Sequence, residues 1–341
     1  MPRLTRLEDV LFPVKEHPVF ASVDDATGER RLPVPEKKAI VNSESHCVLG
    51  IVSRGYRLVS NREALDLAHK CCRTVFPETK QGEWEVEATD APGTGGHCYI
   101  DLVHNSTALD FSFVPAHERP DLFGPFIRVT NSYNGLRALA FDIGFHRKVC
   151  TNGLILPDSI IRFKFTHQRR EIGETIEFEV ARERLAKFKT SFGRYLGTLR
   201  ECPISRGQFV PLICGVLLLR QAEPLKPNTR EAHEWAALNA HLRQLSDRYA
   251  RELGENAYAA FNAITEFASH PPANRRVRRD RHSLQRLAGA WVNSFSQQCR
   301  QPGFNVDAYI GELTKLKSEA TSGPHTGRQQ AFQLGLSARS G

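Results

Sequence analysis

The densest positive charge in the sequence lies between residues 275 and 286, where six arginines stand against one aspartate. Guanidinium groups bind phosphate through several N–H donors at once, so this stretch predicts contacts with a nucleic-acid backbone. Six neutralised phosphates would give a logarithmic salt slope of about −4 to −5 on a single strand. Ser283 is the predicted N-cap of the next helix, whose first N–H groups would add to the attraction for phosphate. A solvated loop without ligand is the alternative. The arginines are Arg275, Arg276, Arg278, Arg279, Arg281 and Arg286.

Two Asn-Gly turns flank a predicted strand that ends in a basic run. Asn134-Gly135 precedes this strand, and Asn152-Gly153 follows the basic residues at its end. Amide groups and positive charge would then meet at one end of a sheet, where they could hold a phosphate or a base edge. The alternative is that each pair serves only its turn. The residues assigned to this site are Asn131, Tyr133, Asn134, Arg147, Lys148 and Asn152.

Three carboxylates on neighbouring predicted strands form a second candidate site. Asp101, Asp110 and Asp142 offer the oxygen ligands that divalent metals prefer, and His104 and His146 lie close in sequence. They would support a metal-dependent enzyme acting on nucleic acid. No Glu-x-Lys sequence completes a nuclease-like set on a neighbouring strand. A solvated sheet face with scattered acids is therefore the favoured interpretation, and we predict no catalytic residue, metal or cofactor.

The eight cysteines show no C-x-x-C pair and no regular spacing. This spacing does not fit the ligand pattern of a zinc ribbon or a zinc finger. In a cytosolic chain such cysteines are typical of small, buried apolar side chains.

An alternation of apolar and polar residues dominates positions 46–170 and predicts an antiparallel sheet. One helix is inserted early, because Ser60 followed by Glu63 is a capping box and apolar residues at helical spacing continue over about 61–76. Residues 1–45 contain five prolines and are predicted as an extended arm, with room for a short hairpin. A compact hairpin is predicted from 47–52 and 56–59. The further predicted strands cover about 84–88, 98–103, 108–114, 126–131, 137–145, 148–156 and 160–167.

Beyond residue 172 the apolar spacing becomes helical. Apolar residues from Leu185 to Leu199 recur every three or four positions and predict one face of a long helix. The apolar segment 209–219 is predicted to lie in the core, and the polar tail from 318 to be disordered. The predicted class is α+β, with an antiparallel β-rich domain over 46–170 and a helical region over 171–317 packed on it. Further helices are predicted at about 230–253, 257–269, 283–299 and 306–317.

The net charge of +8 on 341 residues is unevenly distributed. Residues 1–160 carry a net −3 and residues 161–341 a net +11, which favours a polyanionic partner for the helical half. No apolar stretch approaches the roughly 20 residues of a membrane-spanning helix. No secretory signal opens the chain either. We therefore predict a cytoplasmic protein with no membrane partner.

Four short motifs carry a family resemblance. They are Tyr56 to Asn61 with Glu63, Asn131-Ser-Tyr-Asn-Gly135, Arg147-x-x-Cys150-Thr-Asn-Gly153 with His167 downstream, and Asn262 to His270. In this order they resemble the phage/plasmid-like family known as domain of unknown function 932, over about residues 45–300. The resemblance implies a protein carried on phages, plasmids or integrated elements, without an established activity. It carries over no catalytic residue, so the motif positions are candidates only because the motifs contain them.

The combined hypothesis is a non-enzymatic DNA-binding protein that acts in replication, recombination or maintenance of a mobile element. Its architecture is similar in outline to single-strand annealing proteins of the Rad-fifty-two type, which favours single strands without fixing the function. The alternatives are the metal-dependent enzyme and an interaction protein that targets a host factor through the helical half. Assembly into a homo-oligomer stays open.

Overall fold

A computed structural model describes residues 3–25, 28–77, 79, 83–105, 109–110, 122–147, 152–155, 162–165, 167, 178–219 and 228–313. Two antiparallel sheets and an early helix precede several helices in the C-terminal half, so the predicted α+β class is confirmed. The described residues fall into two units. The first draws on 1–109, 123–146 and 158–188, and the second on 110–122, 147–157 and 189–341.

The first unit opens with a three-stranded antiparallel sheet in the order β1-β2-β3. Its strands are β1 (Val14–Asp25), β2 (Gly28–Asn42) and β3 (Val48–Ser53). Because β3 pairs only with residues 37–41 of β2, the far ends of β1 and β2 continue as a two-stranded ribbon. We call residues 20–25 and 28–33 the distal ribbon. All its described side chains are exposed.

The predicted hairpin between 47–52 and 56–59 is wrong. Its first strand is present as β3, but it pairs with β2, and residues 56–59 lie in no strand. The reason is burial: after the turn at Arg54-Gly55, the Tyr56 ring packs into the core with Ile40 and Val52. Its hydroxyl donates to the carbonyl oxygen of Ser132, so the segment packs under the sheet instead of pairing at its edge.

The second sheet has the order β10-β8-β7-β5-β4, with antiparallel pairing between β4 and β5, β5 and β7, and β8 and β10. Nearly every described side chain of β5, β7 and β8 is buried, so both faces of these strands are covered. The predicted strands at 84–88, 98–103, 126–131 and 137–145 agree with this sheet within a few residues. The strands are β4 (Trp84–Asp90), β5 (His97–His104), β6 (Leu109–Asp110), β7 (Leu122–Ser132), β8 (Leu139–Arg147), β9 (Asn152–Ile155) and β10 (Arg162–Phe165).

Three predicted strands lie partly outside the described residues. Of 108–114 only β6 is described, and of 148–156 and 160–167 only β9, β10 and His167. The predicted tail from residue 318 also lies outside the described residues.

Helix α1 (Asn61–Val75) confirms the prediction from its capping box. The Ser60 hydroxyl accepts from the Glu63 N–H at 3.1 Å, and the Glu63 carboxylate accepts from the Ser60 N–H at 2.7 Å. The box satisfies two N–H groups that have no partner inside the helix. It fixes where the helix begins, one residue after Ser60.

The helix over Ala257–Ser269, α5, packs against the helices that precede and follow it along the chain. Every residue from Ala257 to Thr265 is buried, as expected for a helix that is mostly apolar on all sides. The segment predicted as core at 209–219 is buried from Leu212 to Leu217. Within the part of the chain that the structure describes, no helix has the length and hydropathy needed to cross a bilayer. The helices are α2 (Phe178–Glu201), α3 (Arg206–Val216), α4 (Arg230–Leu253), α5 (Ala257–Ser269) and α6 (Arg281–Gln298), followed by helical residues 306–313.

Candidate nucleic-acid interface

Four of the six predicted phosphate-binding arginines lie on the connection between α5 and α6 in the second unit, and the other two, Arg281 and Arg286, lie in α6. We call residues 274–280 the arginine loop. Asn274 anchors it, because its side-chain amide donates to the carbonyl oxygen of Glu234 at 2.8 Å and accepts from the Arg276 N–H at 2.9 Å. The Arg276 guanidinium reaches the carbonyl oxygen of Glu231 at 3.4 Å. The loop is thus fastened to the first turns of α4.

The arginines of this region differ in exposure. Arg275, Arg278 and Arg279 are exposed, whereas Arg276, Arg281 and Arg286 are half-buried. A ligand therefore meets three of the predicted six directly, and we expect fewer phosphate contacts than the sequence suggested.

Acidic groups offset part of the positive charge. Arg275 lies 3.8 Å from the carboxylate of Glu234, which also pairs with Arg230 at 3.2 Å. The two arginine side chains are exposed and that of Glu234 is 23% exposed, and surface pairs of this kind contribute about 0–1 kcal/mol. They can be exchanged for contacts with phosphate at little cost. Arg230, which sequence reasoning missed, thus joins the basic surface, and its position at the start of α4 was the available signal.

The prediction that Ser283 is the N-cap of the helix after the loop is wrong. Helix α6 begins at Arg281, and its N-cap is Asp280, not Ser283. The Asp280 carboxylate accepts from the Ser283 N–H at 2.8 Å. A carboxylate is itself the anion that a helix N-terminus favours, so this end of α6 carries its own negative charge.

Asn131 and Tyr133, assigned to the sheet end, are fully buried in the first unit. The Asn131 amide donates to the carbonyl oxygen of Val59 at 2.9 Å and to Oδ1 of Asn61 at 2.8 Å. The Tyr133 hydroxyl accepts from the Asn61 N–H at 2.8 Å, and the Asn61 amide donates to the carbonyl oxygen of Val10 at 2.7 Å. In this conformation neither residue can contact DNA. They join β7 to the first turn of α1.

Asn134 is half-buried and closes the turn that follows β7. Its Oδ1 accepts from the Ser132 hydroxyl at 2.8 Å and from the Leu136 N–H at 3.1 Å. Two glycines let the backbone approach: a Cβ on Gly50 would lie 2.4 Å from Asn134 Cα, and one on Gly96 would lie 2.9 Å from Asn134 Nδ2. The Asn131–Gly135 motif is thus a packing junction between the two sheets of the first unit.

His167, another motif residue, completes this junction. Its ring stacks on Tyr56 with centroids 4.5 Å apart and planes inclined by 16°. Its Nδ1 lies 2.9 Å from the carbonyl oxygen of Arg57. Burial lowers the pKa of His167 and raises that of Tyr56, because in both cases the charged form loses hydration.

We expect His167 to make stability depend on pH. Since its pKa is lower in the folded than in the unfolded chain, the unfolded chain binds more protons below about pH 6.5. The free energy of unfolding then decreases as pH falls below that value. His167 accounts for up to about 1.4 kcal/mol of this decrease per pH unit. Urea unfolding at pH 7.5 and 5.5 should show a smaller decrease for His167→Gln than for the unmodified chain. If His167→Gln and the exposed His17→Gln give the same decrease, the assignment is wrong.

The remaining residues of the predicted sheet-end site are Arg147, Lys148 and Asn152. Their side chains lie outside the described residues. Asn131, Tyr133 and Asn134 belong to the first unit, and the arginine loop belongs to the second. The hypothesis that Arg147, Lys148, Asn152 and the arginine loop line one groove stays a prediction, from which the buried Asn131 and Tyr133 are removed.

The predicted solvated carboxylate face is wrong for two of its three acids, because Asp101 and Asp142 are buried. Asp101 accepts two hydrogen bonds from Arg128, each 2.6 Å long, across the pairing of β5 with β7. This ion pair satisfies the charge that a metal would otherwise neutralise. The side chain of Asp110 lies outside the described residues. Among the side chains that are described, no three His, Cys, Asp or Glu groups are placed to hold a metal ion.

A family model described as Domain of unknown function (DUF932) matches residues 48–291. No curated protein and no solved structure matches the chain.

Proposed function

Because the chain belongs to the family described as domain of unknown function DUF932, which brings no activity with it, we propose its function from the arginine loop: non-enzymatic binding of DNA through backbone phosphates. In its more specific form, the proposed function is the binding or annealing of single-stranded DNA. The protein would act in the cytoplasm during the replication, recombination or maintenance of a mobile element. This context comes from the family resemblance and from the likeness to annealing proteins. No cofactor is part of the proposal.

One observation carries the proposal. Three exposed arginines, Arg275, Arg278 and Arg279, lie on a loop that Asn274 fastens to α4. A loop held in place has less freedom to lose when it binds, so its charges act together. The excess positive charge of residues 161–341, most of which belong to the second unit, favours the approach of a polyanion.

We expect the double substitution Arg278→Gln and Arg279→Gln to weaken single-stranded DNA binding about 25-fold at 0.1 M salt. The loss of two phosphate contacts should also reduce the logarithmic salt slope by about 1.4, from an original value of about −2 to −3. Fluorescence anisotropy with labelled oligonucleotides of several sequences, at a series of salt concentrations, measures both quantities. The weakening should be similar for all sequences, because phosphate contacts carry no base information.

Two further variants sharpen this test. Arg206→Gln with Arg251→Gln removes the same charge near the other end of α4, where Arg251 lies about 30 Å from Arg230 by helix rise and Arg206 pairs with Glu255 at 2.9 Å. This pair of substitutions should change affinity little. Asp280→Asn keeps an oxygen for the N-cap of α6 but removes its charge, so binding should tighten by about two- to fivefold. Equal losses in the two arginine pairs would contradict binding at the loop. Absence of any binding at low salt would contradict the function itself.

A further inference from the structure

Two cysteines of the second unit are in contact although they are far apart in sequence. Cys202 follows α2 and is 8% exposed, and its carbonyl oxygen accepts from the Ala257 N–H at 2.8 Å. Cys299 is half-buried at the end of α6, where its N–H donates to the carbonyl oxygen of Phe295 at 2.9 Å. The Cys202 thiol donates a hydrogen bond to the sulfur of Cys299.

Arg300 holds the two helix ends together independently of the sulfurs. Its guanidinium donates to the hydroxyl of Thr198 at 2.9 Å and to the carbonyl oxygen of Arg194 at 3.3 Å, both in the last turns of α2. The residue after Cys299 is thus fastened to the helix that precedes Cys202. This contact keeps the two sulfurs close in the folded chain.

The surroundings shift the pKa values of the two thiols in opposite directions. The hydrogen bond from Cys202 and the positive charge of Arg300 lower the pKa of Cys299, whereas that same hydrogen bond and burial raise the pKa of Cys202. Cys71, Cys72 and Cys98 differ from Cys299, because burial raises their pKa values and keeps them as thiols. Since the thiolate is the reactive form, Cys299 is the favoured nucleophile of this group.

We propose that Cys299 and Cys202 form a hydroperoxide-sensitive pair that oxidises to an intrachain disulfide. The thiolate of Cys299 attacks one oxygen of hydrogen peroxide, the O–O bond breaks, and the sulfur becomes a sulfenic acid as hydroxide leaves and is protonated to water. The Cys202 sulfur then attacks the sulfenic sulfur, the S–O bond breaks, and a second water leaves. The peroxide is reduced and the two thiols are oxidised. The inference does not depend on DNA binding.

The test treats the full-length chain with a small excess of hydrogen peroxide and digests it without reduction. We expect peptides containing Cys202 and Cys299 to be joined, lighter by two hydrogen atoms than the separate peptides. Because the disulfide closes a long loop, the thermal unfolding midpoint should rise by roughly 5 to 15 °C and return on reduction.

Serine variants distinguish Cys299, which attacks the peroxide, from Cys202, which attacks the sulfenic acid. In Cys202→Ser the sulfenic acid of Cys299 should persist and react with dimedone, whereas Cys299→Ser should block the crosslink. Cys47→Ser, which removes an exposed cysteine, should leave the crosslink unchanged. Circular dichroism of each variant checks that it folds. Crosslinks between chains alone, or oxidation of Cys299 with Cys202 left as a thiol in the unmodified chain, would overturn the proposal.

Discussion

The substitution Arg128→Met should destabilise the protein by about 3–5 kcal/mol, because it leaves the carboxylate of Asp101 buried without its ion-pair partner. The Arg128 and Asp101 side chains are 1% and 5% exposed, and their two hydrogen bonds are each 2.6 Å long. Water cannot readily replace the guanidinium at this position between β5 and β7. The unfolded chain, by contrast, hydrates Asp101 fully whether or not Arg128 is present.

Urea unfolding of the unmodified and substituted chains measures this effect. Asp101→Asn should also destabilise, because the Arg128 charge is then left without a counter-charge. The double variant Asp101→Leu with Arg128→Met should recover much of the loss, since removal of both charges leaves no unpaired ion. Arg62→Met on the exposed face of α1 is the control and should change stability by less than about 0.5 kcal/mol. A change below about 1 kcal/mol for Arg128→Met would show that the pair is hydrated.

The nearly isosteric change Asn131→Asp should cost about 3–5 kcal/mol at pH 7. The Asn131 amide donates to two oxygens, those of Val59 and Asn61, and a carboxylate would turn both hydrogen bonds into repulsions. The Asn61 amide cannot turn round without losing its own bond to the carbonyl oxygen of Val10. In addition, Oδ1 of Asn131 has no hydrogen-bond partner among the described residues, so the new charge would gain none there.

This substitution should also produce a characteristic pH dependence. The burial and the surrounding oxygens would raise the pKa of the new carboxyl in the folded chain above its unfolded value of about 3.9. The variant should therefore approach the unmodified chain in stability below about pH 4 and lose stability progressively as pH rises. Asn134→Asp is the matched control, because Oδ1 of Asn134 acts as an acceptor and a carboxylate can do the same. Stability within about 1 kcal/mol of the unmodified chain at pH 7 would contradict the buried network.

Elements whose signals are local could be predicted from the sequence. The capping box at Ser60 placed the start of α1, and helical spacing placed α4 and α5. The start of α6 was predicted two residues late, because both Asp280 and Ser283 are suitable caps and their side chains compete for one helix end. Sequence alone gives no measure of which one accepts the hydrogen bond.

Long-range partners account for the failures. β3 pairs with β2 because Tyr56 has a buried site beside Tyr133, which is far away in the sequence. The alternation around Asp101 has the pattern of a sheet with one solvated face, yet both faces of β5 are covered and Arg128 lies opposite on β7. Periodicity reports which residues share a face and not whether that face meets water.

The motif residues Asn131, Tyr133 and His167 also have long-range partners that the sequence does not show. Asn, Tyr and His side chains are as suitable for buried hydrogen bonds as for ligand contacts, and residue type alone does not separate the two roles. Asn131, Tyr133 and His167 all find their partners in the α1 region, at Val59, Asn61 or Arg57. The arginine-rich segment could be predicted as a loop before a helix, but not that Arg276, Arg281 and Arg286 would be half-buried.

The distal ribbon also bears on aggregation. An open strand edge exposes N–H and C=O groups to which another chain can add a strand, and the exposed Phe20 would favour such contact. Pro18, just before the ribbon, and Pro33, within it, have no N–H group to offer an added strand. Asp24 and Glu29 lie opposite each other near its tip, and charged side chains on an edge disfavour the addition of a further strand. The prolines and the charged side chains therefore make the distal ribbon a poor template for the growth of a larger sheet between chains.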